Sequence, residues 1–302
     1  MSATGITADL AYIRTAIVNV YLFGTPGDHR WVLVDAGMPG HAGSIARAAE
    51  ERFGDTRPAA IILTHGHFDH VGSLRALSAR WGAPIYAHRR ELPYLTGEAA
   101  YPPPDPTVGG GMAAMSPVFP RGPFDFRPML RALPEDGTVP GMAGWRWIHT
   151  PGHTPGHVSL FRDADRALIA GDAFVTTRQE SLLAALTQRP EMHGPPAYFT
   201  PDWASAHRSV EALAELEPDI AATGHGRPMR GRPMRESLRN LAENFDDLAV
   251  PARGRYVDQP ADTAEKLYRP APERRAGQVA AGVALAVMAG ALVMRAGRGF
   301  RR

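Results

Sequence analysis

The 302-residue chain contains no cysteine. That absence excludes disulfide bonds, a thiolate zinc site and a cysteine nucleophile, and it fits a reducing compartment. Lysine is nearly absent too: Lys266 is the only one, so arginine carries the basic charge. Acidic residues are missing from 274–302, where Arg274, Arg275, Arg295, Arg298, Arg301 and Arg302 stand. Of 33 basic side chains six lie there, which leaves residues 1–273 with 27 basic against 31 acidic, a net of −4. A mildly acidic body lacks the basic face that a grip on nucleic acid needs, so no nucleic-acid partner is expected. The opening residues, MSATGITADLAYIRTAIVNV, have no basic stretch followed by an apolar run. No secretory signal is expected, and the expected location is cytoplasmic.

What the chain does have is apolar content, 44%, enough for one large domain or two small ones. Ile17–Leu22 is a β-rich run, a Gly-Thr-Pro-Gly-Asp turn follows, and Trp31–Val34 begins a second strand that ends at Asp35. His41–Phe53 has helical spacing at Ile45, Ala48, Ala49 and Phe53, and Ala59–Leu63 is a short apolar strand. Ser73–Trp81 reads as a helix and Pro84–Ala87 as a strand. This alternation predicts a layered α/β or α+β domain. Residues 97–128 are too rich in proline and glycine for a regular element, yet they carry Tyr101, Met112, Met115, Phe119, Phe124 and Phe126. They read either as a surface loop or as a lid over a site, since long loops in compact domains are often functional. Further on come strands at Trp145–His149, Ala167–Ala170 and Asp219–Ala222, and helices at Trp203–Leu216 and Pro233–Leu248.

The strand at Ala59–Leu63 runs into THGHFDH, which packs His65, His67, Asp69 and His70 together. Residues two apart on an extended segment project to the same side, so His65 and His67 can reach one ion. Asp69 and His70 sit where the next helix begins and can face another. Three further signals each end a short apolar strand: His153 in TPGHTPGH, Asp172 in IAGDAF and His225 in ATGHGRP. His157 competes with His153 in the duplicated motif, and Asp35 reads either as a turn residue or as a carboxylate that orients a histidine. Imidazole and carboxylate together suit zinc and related first-row ions. Seven candidate ligands are too many for one tetrahedral ion, whereas two ions bridged by a carboxylate would use them all. His29, His41, His88, His193 and His207 show no ligand context.

His-Gly-His-Phe-Asp-His, then Pro-Gly-His-Thr, Gly-Asp and Gly-His-Gly in this order resemble the metallo-β-lactamase superfamily over roughly residues 15–230. The resemblance implies an α+β fold, a four-layer αββα sandwich. It places His65, His67 and His153 on one metal and Asp69, His70 and His225 on a second, with Asp172 bridging. It implies two Zn2+ per chain, with Mn2+ or Fe2+ as substitutes. Two such ions, roughly 3.5–4 Å apart, would make a bridging hydroxide available near neutral pH. The expected activity is hydrolysis of an ester, lactone, thioester or similar small-molecule bond, with Asp69 also moving the nucleophile's proton.

Departures from named relatives leave the substrate open. Glyoxalase II-like thioesterases carry a glycine-arginine signature after the bridging aspartate, where this chain reads DAFVTTRQESLL. Acyl-homoserine lactonases place a tyrosine where this chain has Val175; Tyr198 is the alternative phenol. A cysteine-free metallo-β-lactamase and a mononuclear iron oxidoreductase resembling persulfide dioxygenases remain as other readings. Residues 1–250 are expected to form the catalytic domain and 251–275 a linker. Residues 276–294, AGQVAAGVALAVMAGALVM, hold only one polar side chain, Gln278. As a helix they would span about 28 Å, near the roughly 30 Å of a bilayer core, so a C-terminal membrane anchor is expected. Arginine at both ends leaves its orientation open, and nothing in the sequence reports on oligomeric state.

Overall fold

The computed structural model describes residues 2–261. The apolar run 276–294 and the later part of the expected linker lie outside the described residues. Among those described, no helix is long and apolar enough to cross a membrane.

The β-rich runs form two sheets. The first has seven strands in the order of the chain: β1 Thr4–Gly5, β2 Leu10–Thr15, β3 Val18–Phe23, β4 Val32–Val34, β5 Ala60–Ile62, β6 Ile85–Ala87 and β7 Leu130–Ala132. It is antiparallel up to β4 and parallel from β4 to β7. The second has five: β8 Trp145–His149, β9 Val158–Arg162, β10 Ala167–Gly171, β11 Ile220–Thr223 and β12 Met229–Arg230, in the spatial order β12-β11-β10-β9-β8. Helices α1 (Ala42–Phe53), α2 (Phe68–Val71), α3 (Leu74–Trp81), α4 (Leu92–Leu95) and α5 (Gly111–Met115) belong to the first half. The second half holds α6 (Leu182–Thr187), α7 (Trp203–Glu215), α8 (Gly231–Glu243) and α9 (Phe245–Leu248).

The period of two along each strand builds the layers. On β4, Val32 and Val34 face the second sheet while Leu33 faces the helices. On β10, Ala167 and Ile169 face the first sheet, and Leu168 and Ala170 face α7 and α8. Strands covered on both sides need apolar residues at every position, which is why they read as continuous apolar runs. The outer layer of the first sheet is closed by Ile45, Phe53, Leu74, Leu77 and Trp81 of α1 and α3. Fully buried Trp31 stacks on Phe53 at 4.9 Å and meets Trp81 edge-on at 5.2 Å. Each such pair contributes about 0.5–1.5 kcal/mol beyond its buried area. Val210, Leu213, Met234, Leu238 and Leu241 close the other side. The fold is the expected αββα sandwich.

Two local expectations are corrected. Pro233–Leu248 is two helices, because Asn244 leaves helical geometry (φ −123°, ψ 33°) and its side-chain amide donates to Asn240 O at 3.1 Å. The 97–128 segment contains regular structure, α5 and single 3₁₀ turns at Pro106–Val108 and Ser116–Val118, each with glycine or proline in its first two residues. Residues 251–261 lie against the body: Tyr256 Oη donates to Pro103 O at 2.7 Å, and the Ala261 amide to Pro201 O at 2.9 Å.

Candidate metal centre

The candidate ligands stand at strand ends, in the loops that leave them, or in the short helix α2 that follows β5, along one edge of the two sheets. His65 and His67 extend β5, and His67 is the last extended residue (φ −65°, ψ 151°) before α2 carries Asp69 and His70 away from it. His153 lies between β8 and β9, Asp172 follows β10 and His225 follows β11. The His225 loop is held to the first sheet by β3. Asn19 Nδ2 donates to Thr223 O at 2.9 Å and to Gly226 O at 2.6 Å, and Tyr21 Oη donates to Thr223 O at 2.6 Å. Position 224 needs glycine, because a Cβ there would lie 2.8 Å from His70 Cε1 and would run into the Asp172 carboxylate.

The hydrogen-bond network assigns the proton on four rings. Thr64 Oγ1 donates to Asp35, so it accepts from His65 Nδ1 at 3.1 Å. Thr200 Oγ1 donates to Pro196 O, so it accepts from His153 Nδ1 at 3.2 Å. His70 Nδ1 donates to Asp35 Oδ2 and His225 Nδ1 to Ile17 O, both at 2.8 Å. In the neutral form of each ring Nε2 is thereby left as a lone pair. Those lone pairs converge. His65, His67 and His153 form one group and Asp69, His70 and His225 another, with donor atoms in each group within 4.8 Å of one another. Asp172 Oδ2 lies 3.1 Å from His225 Nε2 and 3.5 Å from Nε2 of both His70 and His153.

This arrangement fits cations and fits packing badly. His65 Nε2, His70 Nε2 and Asp172 Oδ1 are buried without a hydrogen-bond partner, and such orphans are costly unless something positive meets them. His67 Nδ1 faces His153 Nε2 at 2.9 Å. Burial, reinforced by the neighbouring imidazoles, holds His65 and His67 well below the usual histidine range. Burial also lowers His153 to about 3. These rings are therefore neutral, as a metal requires. His70 and His225 go the other way: burial would lower them, but the surrounding carboxylates, Asp172 with Asp35 for His70 and Asp172 with Asp69 for His225, together offset it and both are raised. Burial raises Asp69.

His157 is placed outside both groups. Its Nε2 accepts from the Asp172 amide at 2.9 Å and its Nδ1 meets Thr150 Oγ1 at 2.8 Å, so neither nitrogen is free. Asp35 accepts from the Thr64 amide and hydroxyl and from His70, each at 2.8 Å, which makes it an orienting carboxylate rather than a plain turn residue. His149 Nε2 donates to Pro155 O at 2.9 Å and its ring stacks on His88 at 4.3 Å. None of His29, His41, His88, His193 and His207 joins a convergent group among the described residues. Sequence reasoning missed Thr64, Thr200 and Glu91, because hydroxyls that orient a ring and a carboxylate that braces two loops carry no motif.

An apolar roof covers the centre. The Phe199 and Tyr101 rings each lie 4.6 Å from His67. Phe68 packs on Phe119 at 5.3 Å, and Met38, Met112 and Tyr198 fill the same buried cluster. Tyr198, the alternative phenol, is thus part of the roof.

The profile of the metallo-beta-lactamase superfamily matches residues 13–225. The chain is 50% identical over 239 residues to "Probable metallo-hydrolase YflN" of Bacillus subtilis (strain 168), covering 78% of this chain and 90% of that protein. It is 29% identical over 194 residues to "Probable metallo-hydrolase YybB" of the same organism, covering 64% and 74%. Among solved structures, a beta-lactamase domain protein from Burkholderia ambifaria superposes with a TM-score of 0.56 at 20% identity, over 81% of this chain and 76% of that one. The last likeness shows the fold alone; the profile and the near relative show that the chain belongs to the metallo-β-lactamase superfamily and is a metallo-hydrolase of it.

Proposed function

We propose that the protein is a dinuclear zinc hydrolase that cleaves an ester, lactone, thioester or similar bond in a small molecule. The observation that carries this reading is the position of Asp172 Oδ2 between two complete donor groups, 3.5 Å from His153 Nε2 on one side and 3.1 Å from His225 Nε2 on the other. A single-ion enzyme would leave His70 and His225 without a task. Zinc held in both groups would supply a water of lowered pKa and a Lewis acid at the scissile bond.

The chain's own residues do the rest. Asp69 is the most exposed of the seven, at 7% against 3% or less for the others. Its carboxylate is therefore the one that takes the proton of the attacking water and returns it to the leaving group. The roof of Phe68, Phe119, Tyr198 and Phe199 excludes bulk water and supports a substrate with a hydrocarbon part. Residues 97–128, which supply Phe119 and Met112 to that roof, act as its lid.

The test is a panel of lactones, thioesters, phosphodiesters and β-lactams offered to the intact chain. Hydrolysis of a carboxylic ester or thioester that a chelator abolishes and zinc restores is expected. Asp69→Asn should lower kcat by about 10²–10⁴-fold. Oxygen-dependent turnover of a persulfide by a chain holding one iron would overturn the reading.

A further inference from the structure

Glu91 lies outside the donor groups, is fully buried, and touches both segments that supply the first of them. Its Oε2 accepts from the Gly66 amide at 3.0 Å and from the Tyr101 hydroxyl. Its Oε1 accepts from Thr154 Oγ1 and from the Gly156 amide, both at 2.8 Å. Gly66 stands between His65 and His67, and Thr154 follows His153. Tyr101, the fourth donor, lays its ring 4.6 Å from that of His67 and is itself stacked on Tyr94 at 4.2 Å. Burial pushes the Glu91 carboxyl up, and these four donors pull it back toward the ionised form. Both glycines are needed for the approach. A Cβ at Gly156 would stand 2.7 Å from the Glu91 nitrogen, and one at Gly66 would stand 2.7 Å from Leu95 Cδ2 and run into the Tyr101 hydroxyl.

We propose that Glu91 is a positioning residue for the first ion alone: it braces the His65–Gly66–His67 loop against the His153–Gly156 loop, so that the three imidazoles keep one separation. No atom of the second group, Asp69, His70 and His225, is hydrogen-bonded to Glu91; that group is oriented by Asp35 and Ile17 O. Asp35 also reaches His65 through Thr64 Oγ1, but Glu91 touches only the segments of the first group, so a change at Glu91 acts directly on one site. The inference rests on the reading of two metal sites proposed above.

Glu91→Gln keeps the shape but turns one carboxylate oxygen into an NH2 group facing two donors. The sheets remain tied without it, since the Val158 amide donates to Thr64 O at 2.9 Å. The experiment titrates zinc into intact, metal-stripped chains in two single-site backgrounds. His225→Ala reports the first site and His153→Ala the second. The inference predicts that Glu91→Gln weakens zinc about tenfold to a hundredfold in the His225→Ala background, the range for partners that orient ligands. In the His153→Ala background affinity should stay unchanged. Equal weakening in both backgrounds would mean a general structural role and would overturn it, as would no weakening in either. If Glu91→Gln does not fold, Tyr101→Phe and Thr154→Val each remove one donor and must show the same one-sided loss. If the unsubstituted chain takes up no zinc, the two-site reading and this inference fall together. If it takes up two ions and the loss is not one-sided, only this inference falls.

Discussion

The Asp172 amide donates to His157 Nε2 at 2.9 Å, so the second histidine of TPGHTPGH holds the residue proposed to bridge two ions and does not itself face them. His157→Ala leaves that amide unpaired in a buried place, a cost of about 1–3 kcal/mol. The expected outcome is metal affinity lowered about tenfold to a hundredfold, with two ions still taken up at saturation. His153→Ala should instead lose one ion per chain. Elemental analysis after titration separates the two; loss of a whole equivalent in His157→Ala would contradict the assignment.

Asp35 provides the matching test on the other side. It sits at φ +61°, where asparagine is tolerated, so Asp35→Asn preserves the backbone while weakening the acceptor for His70 Nδ1. Zinc affinity of the site containing His70 should fall about tenfold to a hundredfold. The site of His65, His67 and His153 should be less affected, since His65 reaches Asp35 only through Thr64 Oγ1. Titration in the same single-site backgrounds reads this directly.

Metal uptake should release protons. Burial would lower His70 and His225, but Asp172, with Asp35 beside the first and Asp69 beside the second, offsets it, and in the metal-free chain both are raised above the ordinary value of 6.5. An ion takes only the neutral ring, so binding at neutral pH displaces a proton and the apparent affinity rises with pH. Calorimetry in two buffers of different ionisation enthalpy should give different heats. His225→Ala should reduce the difference, and identical heats for the unsubstituted chain would refute it.

A second pH effect lies away from the metals. Burial, with the stacked His149 and nearby Arg90 and Arg89, lowers His88 from 6.5 to about 4. Between those values the unfolded chain binds a proton that the folded chain does not, so His88 costs stability as pH falls from about 6.5 toward 4. His88 Nδ1 accepts from the Arg90 amide at 3.3 Å, a cap that asparagine can replace without titrating. Denaturant midpoints of His88→Asn should therefore decline less steeply over that window than those of the unsubstituted chain.

The sandwich was legible because buried strands such as Val32–Val34 and Ala167–Gly171 are apolar throughout and end in chemistry-bearing residues. The seven candidate ligands were legible because crowded imidazoles are hard to explain by packing. What was not legible acts through the backbone or across long separations. Glu91 contacts Gly66, Thr154 and Gly156, 25 to 65 residues away. Nor does spacing alone tell His153 from His157, because the motif repeats; what separates them is that the Asp172 amide and Thr150 occupy both nitrogens of His157. The break at Asn244 was hidden because apolar periodicity continues across it through Leu241 and Phe245.

The most direct test of the central claim is metal content. The intact chain, purified without chelator and without added metal, is analysed by elemental mass spectrometry. The account predicts two divalent first-row ions per chain, zinc foremost, bound by the groups that meet at Asp172. A chain that carries no metal, or one tightly held iron, would contradict it.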